Sequence, residues 1–158
     1  MQEKEGYFPL FVSLTGRRIL IAGAGRVAAR RAEILLSFGA KLSVTAPECS
    51  GEMDELIKRE NSDVLCYLKR PFAERDLQEA DFVLAATDDI ALNRHIAKLC
   101  RERGIPVNNA SDQADCDFFF PAILQADGLT VGVSSGGRDH KKVAEVCERL
   151  RCFFGTAF

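Results

Sequence analysis

The stretch Gly23-Ala24-Gly25-Arg26-Val27-Ala28 is the one whose residue types and spacing point most directly to chemistry. It reads G-x-G-x-x-A, the spacing of a dinucleotide-binding turn. Each position has a physical task. Gly23 permits a tight turn, Gly25 lets the backbone approach a pyrophosphate, and Ala28 lets helix and strand pack closely, with the phosphate charge facing a helix N-terminus. Such a site usually ends its second strand in Asp or Glu, which binds the ribose 2′-hydroxyl. Here that place holds Thr45, followed by Ala46 and Pro47, with Glu48 just beyond. A threonine can hydrogen-bond a ribose but cannot repel a 2′-phosphate, and Arg26 could favour one. The pattern alone leaves NAD and NADP both open.

The loop carries weight only if a strand precedes it and a helix follows. The sequence predicts both. Residues 17–23 read as a buried strand and 25–38 as a helix. In that helix Arg26, Arg30, Glu33 and Ser37 face outward, while Val27, Ala28, Ala32, Leu35 and Phe38 face inward, with Gly39 as its stop. Further strands are expected at 41–46, 64–69, 81–87 and 107–110. A helix with Ser50 as N-cap spans 50–60, and another, capped by Asp88 or Asp89, ends at Gly104-Ile105-Pro106. This alternation predicts an α/β fold with a parallel, Rossmann-like sheet and right-handed crossovers. After Asp112 the texture changes. Phe118, Phe119 and Phe120 begin an apolar run, Asp127-Gly128 signals a hairpin turn, 129–134 reads as a strand, and a helix follows over about 139–153. Such a hairpin is too small to stand alone. The expected division is therefore a Rossmann domain over 1–112 and a small dimerisation segment over 113–158, its apolar run covered by a second copy.

Composition narrows the function classes. With 158 residues, 47% of them hydrophobic, the chain can bury a sizeable core, and a net charge of -2 gives no argument for nucleic acid. No apolar run reaches the roughly 18 residues of a membrane helix. The charged start, Met1 to Gly6, is not signal-like, so a cytoplasmic location and no membrane partner are expected. The six cysteines, Cys49, Cys66, Cys100, Cys116, Cys147 and Cys152, form no C-x-x-C pair and read as reduced thiols filling apolar space, with no metal site. His95 and His140 read as structural or surface residues.

Five stretches in this order give the chain a recognisable family texture: Tyr7 to Phe11; the glycine loop; Ala85-Ala86-Thr87-Asp88-Asp89 with Asn93; Val107 to Asp112 leading to Phe119-Phe120-Pro121-Ala122; and Val133-Ser134-Ser135-Gly136-Gly137. With them the sequence resembles the precorrin-2 dehydrogenase family, the dehydrogenase module of siroheme synthase. The resemblance implies NAD-dependent oxidation of precorrin-2, a carboxylate-ringed tetrapyrrole, to sirohydrochlorin, and a homodimer joined after Asp112. It implies NAD rather than NADP, and it places the family's catalytic aspartate at Asp112. That location also suits a ligand-facing residue, just past the fifth strand on the carboxyl edge.

On this reading Gly23, Gly25, Arg26, Val27, Ala28, Thr45, Pro47, Thr87, Asp88 and Asn93 line the cofactor cleft. Ser135, Gly136, Arg138 and Lys141 meet the substrate, with Lys142 a further cation. The run Arg138-Asp139-His140-Lys141-Lys142 departs from relatives that carry a Ser-Pro element there. Some relatives also insert iron into sirohydrochlorin, and the residues leave that activity open. Fuller relatives continue into a longer helical module, so a shortened C-terminal helical part is expected. The rival class is a module that senses NAD without turnover, although such modules typically keep an acid where this chain has Thr45.

Overall fold

The computed structural model describes Phe8–Gly155, so Met1 to Tyr7, which carry the charged start and the first residue of one family stretch, lie outside the described residues. Seven strands and four helices follow in order: β1 (Arg18–Ala22), α1 (Arg26–Ser37), β2 (Lys41–Thr45), α2 (Gly51–Arg59), β3 (Leu65–Leu68), β4 (Phe82–Ala85), α3 (Ile90–Arg103), β5 (Val107–Asn109), β6 (Ala122–Ala126), β7 (Leu129–Val133) and α4 (His140–Phe154). The expected elements are all present, with ends shifted by a residue or two.

The first five strands form one parallel sheet in the order β3-β2-β1-β4-β5. Sequence order runs outward from β1 in both directions, which leaves a crevice at the carboxyl ends beside β1 and β4. Leu20 and Ala22 of β1, Val83 and Ala85 of β4 and Val107 of β5 pack with Ile96, Ala97, Leu99 and Cys100 of α3. Ile19 and Ile21 alternate to the opposite face and are equally buried.

Between β3 and β4 the chain makes a 3₁₀ turn, Glu74–Glu79, which the sequence reading did not foresee. Its buried Leu77 joins the α3 core, while Arg70 grips Asp76 through two bonds of 2.6 and 2.9 Å. Asp76 also accepts from the Ala73 amide at 2.9 Å, and the Arg70 bond, ahead of that amide, holds its carboxyl below the usual range.

The chain divides into two compact units. One spans Phe11–Phe118, and the other holds the described residues from Phe119 onward with Phe8–Leu10. Residues 113–118, expected with the dimerisation segment, pack in the first unit. The Asp117 amide donates to Val107 O at 2.8 Å, the Val107 amide to Asp117 Oδ2 at 2.9 Å, and the Phe118 ring meets Phe82 edge-on at 5.7 Å. In the second unit β6 and β7 pair antiparallel across Asp127-Gly128, whose φ values of 51° and 75° are those of a tight hairpin turn. Asp139 caps α4, accepting from the Lys142 amide at 2.8 Å. Phe118, Phe119 and Phe120, expected to need a second copy as cover, are each half-buried, whereas Leu129 and Phe153 are 55% and 82% exposed.

All six cysteines are free thiols. Cys100 and Cys147 fill apolar space as expected, and burial lifts the Cys100 thiol to about 11. Cys66 and Cys152 are exposed, against that expectation, because Cys66 faces outward on the short strand β3 and Cys152 lies on the open side of α4. No described helix is long and apolar enough to cross a membrane.

Candidate functional site

The turn out of β1 is built as the glycine spacing requires. Gly23 has φ +104°, and a Cβ there would lie 2.3 Å from the Ala86 carbonyl oxygen. Only glycine lets β1 and the end of β4 approach this closely. Gly25 differs. Its φ is an ordinary -77°, and a Cβ there would meet nothing within 4 Å, so its empty side faces open space. Gly25 is also the N-cap of α1. No side chain among the described residues caps that helix, and no acid stands in its first turn. The first amides of a helix seek acceptors, and a 12-residue helix adds a favourable dipole, so this end suits an anion. Ala28 is fully buried against the sheet.

Val27, expected to pack inward, is 54% exposed. The helix starts only one residue earlier, at the rim of the sheet, so Val27 has no neighbouring layer to enter. Ala29 takes the buried place beside Ala28.

Thr45 ends β2 with 1% of its surface exposed, and its hydroxyl has no hydrogen-bond partner among the described residues. Pro47 and Glu48 are exposed in the loop that follows. The Ser50 amide ties this loop to the glycine turn, donating to Ala24 O at 2.9 Å. Ser50 also caps α2 through the Met53 amide. Two residues further on, Glu52 accepts from Arg26 Nε at 2.8 Å. The amide at the start of α2 is the main force holding the Glu52 carboxyl below its ordinary range, with smaller help from Ser50 and Arg26.

The ends of β4 and β5 are joined by a polar chain through the buried Asn93 and Asn109. Asn93, on the first turn of α3, has no exposed surface. Its Oδ1 accepts from the Thr87 hydroxyl at 2.7 Å and the Thr87 amide at 3.1 Å, while its Nδ2 donates to Thr87 O at 2.8 Å and Ser111 Oγ at 2.5 Å. Ser111 donates to Asn109 Oδ1 from both its amide and its hydroxyl, each at 2.9 Å. Asn109 reaches Asp115 Oδ2 at 3.3 Å, and Asp115 pairs with Arg101, whose hydrogen bond lowers the Asp115 carboxyl most. Asn93 thus braces the cleft edge. The long-range partner of a lone asparagine carries no signal in sequence.

Asp112 stands beyond this chain. Its Oδ1 accepts from the Ala114 amide at 3.0 Å, and its Oδ2 lies 3.3 Å from an Arg94 guanidinium nitrogen. It keeps 32% side-chain exposure. Sequence reasoning missed Arg94. Thr87 is half-buried, Asp88 is exposed, and Asp89 caps α3 through the Leu92 amide at 3.0 Å. By strand order and register the glycine turn, Thr87–Asp89 and Ala110–Asp112 all leave the same carboxyl edge.

Ser135, Gly136, Arg138 and Lys141 belong to the second unit. Ser135 Oγ accepts from the Asp139 amide at 2.9 Å, and Arg138 folds back to donate to Ser135 O at 3.2 Å. Gly136 and Gly137 both have positive φ, 64° and 77°, and Lys141 is exposed. His140 is exposed, and His95 is an exposed residue near Glu74. No group of His, Cys, Asp or Glu among the described residues could hold a metal.

The family described as "Putative NAD(P)-binding" matches residues 10–122. The chain belongs to this NAD(P)-binding family. The relatives carry the resemblance read from the motifs. The siroheme synthase of Ectopseudomonas mendocina is 44% identical over 131 residues, and that of Pseudomonas fluorescens 40% over the same length; each match takes in 83% of this chain. A solved structure described as SirC, precorrin-2 dehydrogenase, superposes with TM-score 0.78 at 27% identity, covering 94% of this chain and 71% of that one. The chain spans only 27–28% of the length of the curated relatives it matches. An NAD(P)-binding domain of this kind accounts for the glycine turn, the uncapped α1 and the open space beside Gly25, so the residues present fit a nicotinamide dinucleotide.

Proposed function

We propose that the protein oxidises precorrin-2 to sirohydrochlorin with NAD as cofactor. The observation that carries this reading is the shared edge. A phosphate-ready helix start, a braced β4 end and a half-exposed carboxylate leave one side of one sheet, in a chain similar to siroheme synthases and to a precorrin-2 dehydrogenase.

When bound, the nicotinamide supplies the hydride acceptor. The chain's part is to orient and to take a proton. The amides at the start of α1 would hold the pyrophosphate beside Gly25. Pro47 would help hold the adenosine end, Val27 would offer apolar rim, and Thr87 and Asp88 would help hold the nicotinamide end. Oxidation breaks one C–H bond as hydride leaves the macrocycle, and a second hydrogen leaves as a proton. Asp112 accepts that proton. The Ala114 amide and Arg94 fix its two oxygens, so the carboxylate is oriented before substrate arrives. Asn93 acts through Thr87 and Ser111. Within the second unit, Arg138 and Lys141 are cations suited to the substrate's peripheral carboxylates, with Ser135 and Gly136 beside them.

A homodimer through the segment after Asp112 completes the proposal. Among the described residues from Phe119 onward only Leu124, Ala126 and Cys147 are buried. That is too little for a stable unit.

The test is direct. Purified protein, enzymatically generated precorrin-2 and NAD should yield NADH together with the sirohydrochlorin spectrum. Binding of NAD with no NADH formed would assign the chain to the sensing class instead.

A further inference from the structure

The acid that usually selects against a 2′-phosphate is absent from the end of β2, and the residue in its place is sealed. Thr45 is 1% exposed, so its side chain presents neither charge nor a reachable hydroxyl at the surface. The neighbouring cation is Arg26, the first residue of α1, with 85% side-chain exposure. Left to itself, an arginine beside the glycine turn would welcome a phosphate monoester, since guanidinium and phosphate pair well. It is not left to itself. Glu52 accepts its Nε–H at 2.8 Å from the first turn of α2, the helix that follows β2. The Ser50–Ala24 bond holds the start of α2 against the glycine turn, so this carboxylate is kept beside the turn.

We propose that Glu52 is the residue that determines cofactor choice, rejecting NADP by occupying Arg26 and by facing any 2′-phosphate with a fixed negative charge. It does from α2 what related sheets do from β2. A 2′-phosphate carries nearly two negative charges at neutral pH. To pair with Arg26 it must break the Glu52 bond and then lie beside the released carboxylate. NAD has only a hydroxyl there and needs neither change. Specificity of this kind rests on a repulsive element, and removing it should broaden the choice. The inference rests on the reading of the glycine turn as the cofactor site.

The experiment is binding by calorimetry, without turnover, of NAD and NADP to the full chain. Variants are Glu52→Gln, Glu52→Ala, Glu48→Gln and the double change Arg26→Gln with Glu52→Gln. Both partners of the pair are at least half exposed, so folding is not at stake, and a thermal melt checks it. Glu52→Gln and Glu52→Ala should each shift the NAD to NADP affinity ratio towards NADP by roughly tenfold or more. Glu48→Gln should leave the ratio within about twofold of the parent, and the double variant should lose the gain, because Arg26 is the cation being released. A ratio indifferent to both Glu52 variants, or moved equally by Glu48→Gln, overturns this proposal and leaves the cofactor site standing. A parent that binds neither dinucleotide overturns the site reading, and this proposal with it.

Discussion

The two units solve burial in opposite ways. Over Phe11–Phe118 five parallel strands carry helices against both faces, and Ile19, Ile21, Val44, Val83, Leu84, Ile96 and Val107 are almost wholly removed from water. In the unit from Phe119 a two-stranded hairpin and one helix bury three residues among those described, and leave Leu129 and Phe153 in solvent. The lesson is a division of tasks. The first unit holds its candidate site on strands and helices that bury one another. The second presents conformational devices, paired positive-φ glycines and a capped basic helix start, on a frame with little burial of its own among the described residues.

The sharpest break of this comparison is at Asp112, which the first unit positions. Asp112→Asn keeps shape and hydrogen bonding but removes the proposed base, and turnover should fall by about 10²–10⁴ with NAD affinity unchanged. Steady-state rates beside calorimetric binding of NAD check it, and near-parental turnover would leave Asp112 as a turn residue. Arg94→Leu should reproduce part of that loss in kcat, with Arg94→Lys restoring some of it.

The next largest effect separates the two glycines. Gly23→Ala forces a Cβ onto the Ala86 carbonyl at positive φ and should cost about 2 kcal/mol or more of stability, read by urea unfolding. Gly25→Val has space in the protein, so it should melt near the parent temperature yet lose NAD binding. Equal effects on folding from the two variants would erase the distinction between a packing glycine and a ligand-facing one.

The second unit's need for cover is tested by Leu129→Asp. The parent should sediment as a dimer at micromolar concentration and the variant should shift towards monomer, since a fully buried leucine is worth about 1.5–3 kcal/mol. A well-folded parent monomer would show that the segment needs no partner.

The smallest effect belongs to Asp76. Its folded carboxyl is held below the ordinary value, first by Arg70. The unfolded chain therefore takes up the proton at higher pH than the folded protein does. The stabilisation is fully present above the ordinary value of 3.8 and is lost as pH falls through the lower, folded one. Asp76→Asn should lower stability by about 1–2 kcal/mol at neutral pH and flatten the acid limb of the melting curve.

Most of the frame was legible because its signals are local. Gly23, Gly39, Gly104 and Gly128 mark positive-φ positions, and Ser50 and Asp89 cap the helices that begin after them. What escaped was set by contacts between distant parts of the chain. Arg26 and Glu52 lie 26 residues apart, Arg94 and Asp112 18 apart, and neither pair has a periodic signature. The burial of Asn93 and the exposure of Val27 depend on where the sheet ends, which no window of sequence reports. The 3₁₀ turn Glu74–Glu79 is too short to show a helical period.

The chain from Thr87 through Asn93 to Ser111 has a consequence in time as well as in space. The Thr87 and Ser111 amides are held by side chains, Asn93 and Asn109, instead of by a strand ladder. Freeing either one means undoing a network that both share. In amide hydrogen exchange they should therefore lose protection together, at one opening free energy, while amides of the neighbouring exposed turn at Asp88 exchange far sooner. In the proposed reaction, the groups around hydride and proton transfer would then keep the same clock.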